Sequence, residues 1–318
     1  MVGKRNHDMK NCPSIIRNYH PEDLDSLARL VTRAVDTEEG LHSVSAHDVI
    51  EGLGRPRHFP ESDLFITERA GDTIGYVDVT AELEIGRVVL SFLAHPEHRG
   101  EVVVMKLIKR AIIRAKELKA RRVHVNVLEG SESVRKLLAK MGFRFIRRFR
   151  ELRLDLSNGD VPNINRISPR CRHLKRGEED KLVHIQNRSF AGTWGFNPNT
   201  LEEIVHRICL PGCSPEDIIL ACDGENVIGY CWTRIYVGKN KTVGGGKGRI
   251  YMLGMDPDHR RRGVGKEVLM AGLSYLKGND VGIVELTVDG ENEAARALYR
   301  SAGFRVQARS LWYEKALE

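Results

Sequence analysis

Met255-Asp-Pro-Asp-His-Arg260-Arg-Arg-Gly263-Val-Gly265-Lys266 is the stretch on which the reading of this chain turns. A weakly polar run, Ile250–Met255, reads as a central strand and stops at Asp-Pro. A basic turn follows, and from Gly263 to Leu276 the apolar residues Val264, Val268, Leu269, Leu273 and Leu276 recur at helical spacing. Strand, turn, helix is an arrangement that binds anions. The first N–H groups of a helix have no intrahelical partner, and the macrodipole favours negative charge there. Gly263 and Gly265 allow a pyrophosphate to approach the backbone, while Arg260, Arg261, Arg262 and Lys266 add positive charge. The stretch is not a Walker A loop, because the Gly-Lys-Ser/Thr ending is missing. It is not a dinucleotide fingerprint either, because the third glycine and its spacing are absent.

Outward from this stretch the chain alternates helices and strands. Val281–Val288 reads as a strand, and Asn292–Ala302 as a helix closed by Gly303 at a C′-type position. Upstream, Glu178–Ser189 has helical spacing, and Asp217–Cys222 and Val227–Val237 flank the Asp223-Gly224 hairpin turn. The same markers occur twice. His95-Pro-Glu-His-Arg99 resembles Asp256-Pro-Asp-His-Arg260, and Met141-Gly-Phe-Arg144 resembles Ala302-Gly-Phe-Arg305, both 161 residues apart. Thr73-Ile-Gly-Tyr76 and Val227-Ile-Gly-Tyr230 are 154 apart, so the second copy has seven extra residues, assigned to the Gly-rich tract Lys239–Gly248. The expected fold is therefore α/β, an α+β mixed sheet built twice. Residues 1–156 form the first domain, 157–170 a linker rich in turn formers, and 171–318 the second domain.

Arg-x-x-Gly-x-Gly between a strand and a helix resembles motif A of the GCN5-related N-acetyltransferase (GNAT) family. The family's next block is matched by Leu286-x-Val288, Asn292, Ala295, Leu298-Tyr299 and Gly303-Phe304. A tandem chain with the better motif in its second half is similar to the mycothiol-synthase-like members of that family. The resemblance implies two tandem acyl-CoA N-acyltransferase domains, acetyl-CoA as cofactor, and acetyl transfer to a primary amine by direct attack. It implies that Leu253 and Met255 offer backbone groups to the thioester and pantetheine from a strand that splays from its neighbour. Residues 260–266, Val264 included, would hold the pyrophosphate, and Asn292 would contact the cofactor arm. Tyr299 would act as general acid to the leaving thiolate; a packed helix residue is the alternative. The resemblance also implies a carboxylate near Arg249 or Thr287, and neither position has one. Of Glu285, Asp256 and Asp289, Glu285 is the candidate base, sharing a face with Thr287 and Asp289 by alternation; an exposed strand carboxylate is the alternative.

A site without a dedicated base favours an amine that deprotonates cheaply. At pH 7 a lysine-type amine costs about 4.6 kcal/mol to deprotonate, and an α-amine only about 1 kcal/mol. The expected acceptor is thus a low-pKa α-amine of a small molecule, with a peptide or protein N-terminus as the alternative. A non-catalytic acyl-CoA-binding or regulatory module with an anion-binding N-terminal domain is the alternative of another class. The acceptor pocket is expected around 187–196, with Phe190, Trp194 and Phe196 as an apolar wall and Arg188 placed for a carboxylate or phosphate; a packed loop is the alternative.

In the first copy, Val102 and Val104 replace the two glycines, Ser131 replaces the asparagine, Leu138 replaces the tyrosine, and Gly100 falls out of register. That copy reads as degenerate, with a core from Ile108, Ile112, Ile113, Val123, Val125, Val127 and Leu137.

The chain has 318 residues and a net charge of +7. Residues 106–153 hold sixteen Lys and Arg against four Glu, read as solvated faces of a helix and an edge strand. Nucleic acid is the less favoured anionic partner, and Phe143, Phe145 and Phe149 read as alternating into a sheet rather than stacking on bases. No run reaches the roughly 18 apolar residues of a membrane span, and the N-terminus leads into no export signal. With six cysteines and no zinc spacing, the chain reads as a cytoplasmic protein with free thiols and no metal, monomeric or homodimeric.

Overall fold

The computed structural model describes residues 13–36, 49, 52–95, 97, 101–157, 168–236 and 245–318. Most of the expected linker, most of the Gly-rich tract, and Arg99 and Gly100 lie outside the described residues. The chain divides into two compact units. Unit 1 is Met1–Arg147 with Ser310–Glu318, and unit 2 is Arg148–Arg309.

Unit 1 contains β1 (Ile15–Asn18), α1 (Leu24–Asp36), β2 (Leu64–Arg69), β3 (Asp72–Glu82), β4 (Arg87–Ala94), α2 (Glu101–Glu117), β5 (Arg122–Leu128) and α3 (Glu132–Lys140). Strands β1 to β4 pair antiparallel in sequence, and β4 pairs parallel with β5. The core holds Ile108, Val123, Val125, Val127 and Leu137 as expected, with Ile112 partly buried. Ile113 is a correction: it is 53% exposed, one residue off the apolar stripe of α2.

Strand β6 (Arg144–Asp155) begins in unit 1 and enters unit 2 at Arg148. Unit 2 continues with β7 (Cys171–His173), α4 (Glu179–Phe190), α5 (Leu201–Ile208), β8 (Ile218–Asp223), β9 (Asn226–Tyr236), β10 (Gly246–Met255), α6 (Val264–Gly278), β11 (Val281–Asp289) and α7 (Glu293–Ser301), and reaches the start of β12 (Arg305–Ala316). Strand β10 is central as expected, between antiparallel β9 and parallel β11. Helix α6 buries Val264, Val268, Leu269, Leu273 and Leu276, the stripe its sequence announces. Leu152, Leu154, Val284, Leu286 and Val288 join that layer. On the other side α4 and α5 pack Leu182, Ile185 and Ile204 against Tyr230 and Trp232, which are 0% and 1% exposed. Fully burying such large side chains is among the main contributions to the core, about 2–3 kcal/mol each.

Two strands depart from the repeat boundaries. Residues 149–155 of β6 pair antiparallel with β11 in unit 2, and residues 310–316 of β12 pair antiparallel with β5 in unit 1. Each unit thus takes a strand from the other repeat. Residues 106–153 were expected to include an edge strand; instead β5 has β4 and β12 as neighbours, and β6 pairs with β11. Of the three aromatics in that segment, Phe143 is buried in unit 1 and Phe145 is 51% exposed there. Phe149 lies in unit 2. Among the described residues no helix is long and apolar enough to cross a membrane.

Candidate active site

Strand β10 ends at Met255, a short 3-10 turn runs from Pro257 to His259, and Gly263 caps α6. Gly263 has φ +85°, a left-handed conformation that a Cβ would strain. The amides of Val264 and Gly265 have no acceptor among the described residues, as the geometry of a helix start requires. Arg261, Arg262 and Lys266 are exposed and make no ion pair among the described residues. Two free amides, a positive dipole end and three cations fit a pyrophosphate. Arg260 is committed to the chain: its Nη2 donates to the Ser189 carbonyl at 2.7 Å and its Nε to the Met255 carbonyl at 3.4 Å.

Arg188 was expected to meet the acceptor. The structure gives it other partners: from the last turn of α4 it donates to the carboxylates of Asp256 and Asp258. An Arg fork matches a carboxylate, so the turn's own acids take it. Its role is to fix the β10–α6 turn against α4. Hydrogen bonding from Arg188 is the main reason the Asp256 carboxyl is lowered to about 2. An unfolded Asp titrates near 3.9. A depressed folded value contributes stability that is present above the unfolded value and lost as pH falls through the folded one. Arg188→Ala is therefore expected to melt with a shallower acid dependence between about pH 4 and 2, and to bind acetyl-CoA several-fold more weakly at pH 7. Melting curves at both pH values and calorimetry check this; an unchanged acid dependence would refute the assignment.

Strand β10 pairs with β11 only through Gly246–Arg249, whose partners run from Val281 to Glu285. Beyond that, Met252–Met255 stay with β9, while Leu286–Asp289 pair with β6 on the far side. The two strands therefore part, and alternate residues of β10, in the segment holding Leu253 and Met255, turn backbone amides and carbonyls toward the gap. The register breaks between Ile250 and Met252, so Tyr251 and Met252 both pack on the α4 side. A Cβ on Gly265 would lie 3.5 Å from Met255 Cγ and 3.7 Å from Leu298 Cδ2, so β10, α6 and α7 converge beside this gap.

Helix α7 carries the remaining two residues of the expected constellation. Asn292 is its N-cap, Oδ1 accepting from the Ala295 amide at 3.0 Å, and its own NH2 group has no partner among the described residues. Tyr299 is 6% exposed and sits edge-on to Phe304, with ring centroids 5.7 Å apart. Its hydroxyl makes no hydrogen bond to a described residue. Burial above all, with nearby Cys231, pushes the phenol well above its ordinary range, so it holds its proton through neutral pH.

On the α4 side of the sheet, Phe190 packs against the Tyr230–Trp232 layer, and the Trp194 ring meets Phe149 of β6 at 5.9 Å. Glu285, Thr287 and Asp289 face the same way along β11, with Arg153, Glu151 and Phe149 of β6 directly opposite in register. Arg249 donates from Nη2 to Thr287 Oγ1 at 2.5 Å. Glu285 Oε1 is buried and has no hydrogen-bond partner among the described residues. Glu151 is half-buried; burial raises its carboxyl, Arg249 opposes that, and Glu285 adds to it. Sequence reasoning missed Glu151. Alternation places it on one face with Phe149, but only the pairing of β6 with β11 brings it beside Thr287.

The sequence profile of the Acetyltransferase (GNAT) family matches residues 29–143 and 180–304. A mycothiol acetyltransferase of Acidimicrobium ferrooxidans is 29% identical over 283 residues, 86% of this chain and 88% of that protein. One of Streptomyces coelicolor is 27% identical over 300 residues, 92% of each chain. Among solved structures, a tandem GNAT protein from the clavulanic acid biosynthesis pathway superposes with a TM-score of 0.72 at 15% identity, over 96% of this chain and 98% of that one. A GCN5-related N-acetyltransferase from Sphaerobacter thermophilus gives 0.68 at 22% identity, over 96% and 97%. At these identities the two structures bear on the fold alone.

Proposed function

The chain belongs to the acetyltransferase (GNAT) family, with acetyl-CoA as donor, and on that premise we propose that unit 2 is the catalytic half, acetylating a primary amine of low pKa in a small molecule by direct attack. The parting of β10 from β11 beside the free amides of α6 carries this reading. Bound acetyl-CoA supplies an activated thioester. The amides of Val264 and Gly265, with Arg261, Arg262 and Lys266, hold the pyrophosphate, and Asn292 offers its free NH2 group to the pantetheine arm. Tyr299 donates its proton to the departing thiolate, and Glu285 faces the acceptor amine. Phe190 and Trp194 help to wall the acceptor side. Similarity to enzymes named mycothiol acetyltransferase supports a small-molecule acceptor; a peptide N-terminus has no specific observation in its favour.

Unit 1 keeps the fold without the chemistry. Strand β4 also parts from β5 after Leu90. By the 161-residue offset, Glu101, Val102 and Val104 stand where unit 2 has Arg262, Gly263 and Gly265. The cleft there, ≈ 340 Å³, includes Glu101, Val104 and Glu132, and its Lys140 and Lys136 are paired with Glu101 and Glu132 at 2.8 and 2.7 Å. A carboxylate and two β-branched side chains at this helix start disfavour a pyrophosphate.

The expected result in calorimetry is one acetyl-CoA per chain, with thiol release when low-pKa amines are added. Two equivalent sites would overturn the assignment to unit 2. A steep preference for lysine side chains or polyamines would overturn the acceptor class.

A further inference from the structure

We propose that Glu151, carried into unit 2 on β6, is the group that takes the proton from the acceptor amine, with Glu285 beside it as counter-charge. The inference rests on the acetyltransferase reading of unit 2 and deepens it. Glu151 stands in register with Thr287, two residue pairs beyond Glu285 and so on the same face, on the α4 side of the sheet. That is where β10 has left β11. Neither carboxylate has a hydrogen bond or ion pair among the described residues, and Glu285 Oε1 is buried with no partner. The charged groups around Glu151 are Arg249 on β10, Glu285 and Asp289 on β11, and Arg153 on β6. Arg249 is held by its bond to Thr287 rather than by a carboxylate. It lends positive charge to the pair without forming an ion pair with either acid among the described residues, so the carboxylates are not already neutralised by a partner.

Two carboxylates with unpaired oxygens at the mouth of a strand gap recognise R–NH3+ by charge and hydrogen bonds. Glu151 accepts one proton, leaving a neutral amine whose lone pair forms the C–N bond to the thioester carbonyl carbon. The C–S bond breaks and the thiolate takes the Tyr299 proton. The nitrogen loses a second proton, which restores Tyr299 through solvent, and Glu151 returns its own to solvent. The balance is one amide, one thiol and one proton released. Burial above all raises the Glu151 carboxyl, with Arg249 opposing and Glu285 adding to it, and an upward shift makes the carboxylate a better proton acceptor. A base must be ionised to act, so kcat/KM falls as pH drops through this raised value.

Glu151→Gln, Glu151→Asp and wild type are compared by thiol release across pH with an amine that wild type acetylates, and by calorimetry with acetyl-CoA. Glu151→Gln is expected to lose about 100-fold in kcat/KM and the acidic limb of the profile, with acetyl-CoA affinity unchanged. Glu151→Asp should retain part of the activity with a displaced limb. Wild-type kcat/KM and profile in Glu151→Gln overturn the proposal, as does an unshifted limb in Glu151→Asp if the glutamine variant fails to fold. Wild type that binds no acetyl-CoA overturns the acetyltransferase reading, and this inference with it.

Discussion

Gly265→Ala is expected to weaken acetyl-CoA binding by about 100-fold while leaving the melting temperature unchanged or slightly raised. The fold has room for the methyl group, since its contacts with Met255 and Leu298, 3.5 and 3.7 Å from the new Cβ, are ordinary van der Waals distances. Gly265 also lies in the first turn of α6. Alanine in a helix is favoured over glycine by up to about 1 kcal/mol. The ligand has less room. A Cβ here stands between the pyrophosphate and amides that have no other acceptor, and hydrogen bonds to a charged group contribute about 1.5–3 kcal/mol each. Gly263→Ala separates the two effects. No atom comes within 4 Å of a Cβ there, yet φ is +85°, so the strain of about 1–2 kcal/mol falls on folding. Calorimetry with melting curves reads both, and undiminished acetyl-CoA affinity in Gly265→Ala removes this turn from the cofactor site.

Local pattern was legible in the sequence and partner choice was not. The α6 stripe, the αL glycine at 303 and the shared face of Glu285, Thr287 and Asp289 follow from periods of 3.6 and 2 that need no tertiary information. The crossing of β6 and β12 between units could not be read, because residues 144–155 and 305–316 are equivalent strands and alternation fits either partner. The partners of Arg188 were hidden for a related reason: its carboxylates lie 68 and 70 residues downstream, and on a helix end an arginine that holds a turn looks like one that awaits a substrate. Glu151 was hidden by charge statistics. In a segment of sixteen basic residues it counted as one of four minority acids, whereas the sheet sets it opposite Thr287, on the face it shares with Glu285. The same pairing explains how Arg249 can stand where a carboxylate was expected: Glu151 meets the site from two strands away.

Tyr299→Phe is expected to lower kcat by about 100- to 1,000-fold and to leave acetyl-CoA affinity and the neutral-pH melting temperature unchanged. Loss of a hydroxyl usually destabilises because it orphans a partner. This hydroxyl has no partner among the described residues, and phenylalanine keeps the ring contact with Phe304. Nothing structural is removed except a proton that is well placed and tightly held. The raised phenol gives a check that needs no substrate. The unfolded tyrosine ionises near 10 and the folded one well above. Its stabilising share is therefore complete below about pH 10 and is lost as pH rises toward the folded value. Wild type should lose stability against Tyr299→Phe above about pH 10 and match it at pH 7, with the buried Tyr230 cancelling because both proteins carry it. Parallel melting curves at alkaline pH would mean that the phenol is not held protonated. Parallel curves with full loss of kcat would leave Tyr299 acting by position alone, and unchanged kcat would remove it as the acid. If both expectations hold, the alkaline limb of kcat should lie above the range of an ordinary tyrosine, since turnover persists while the folded phenol keeps its proton.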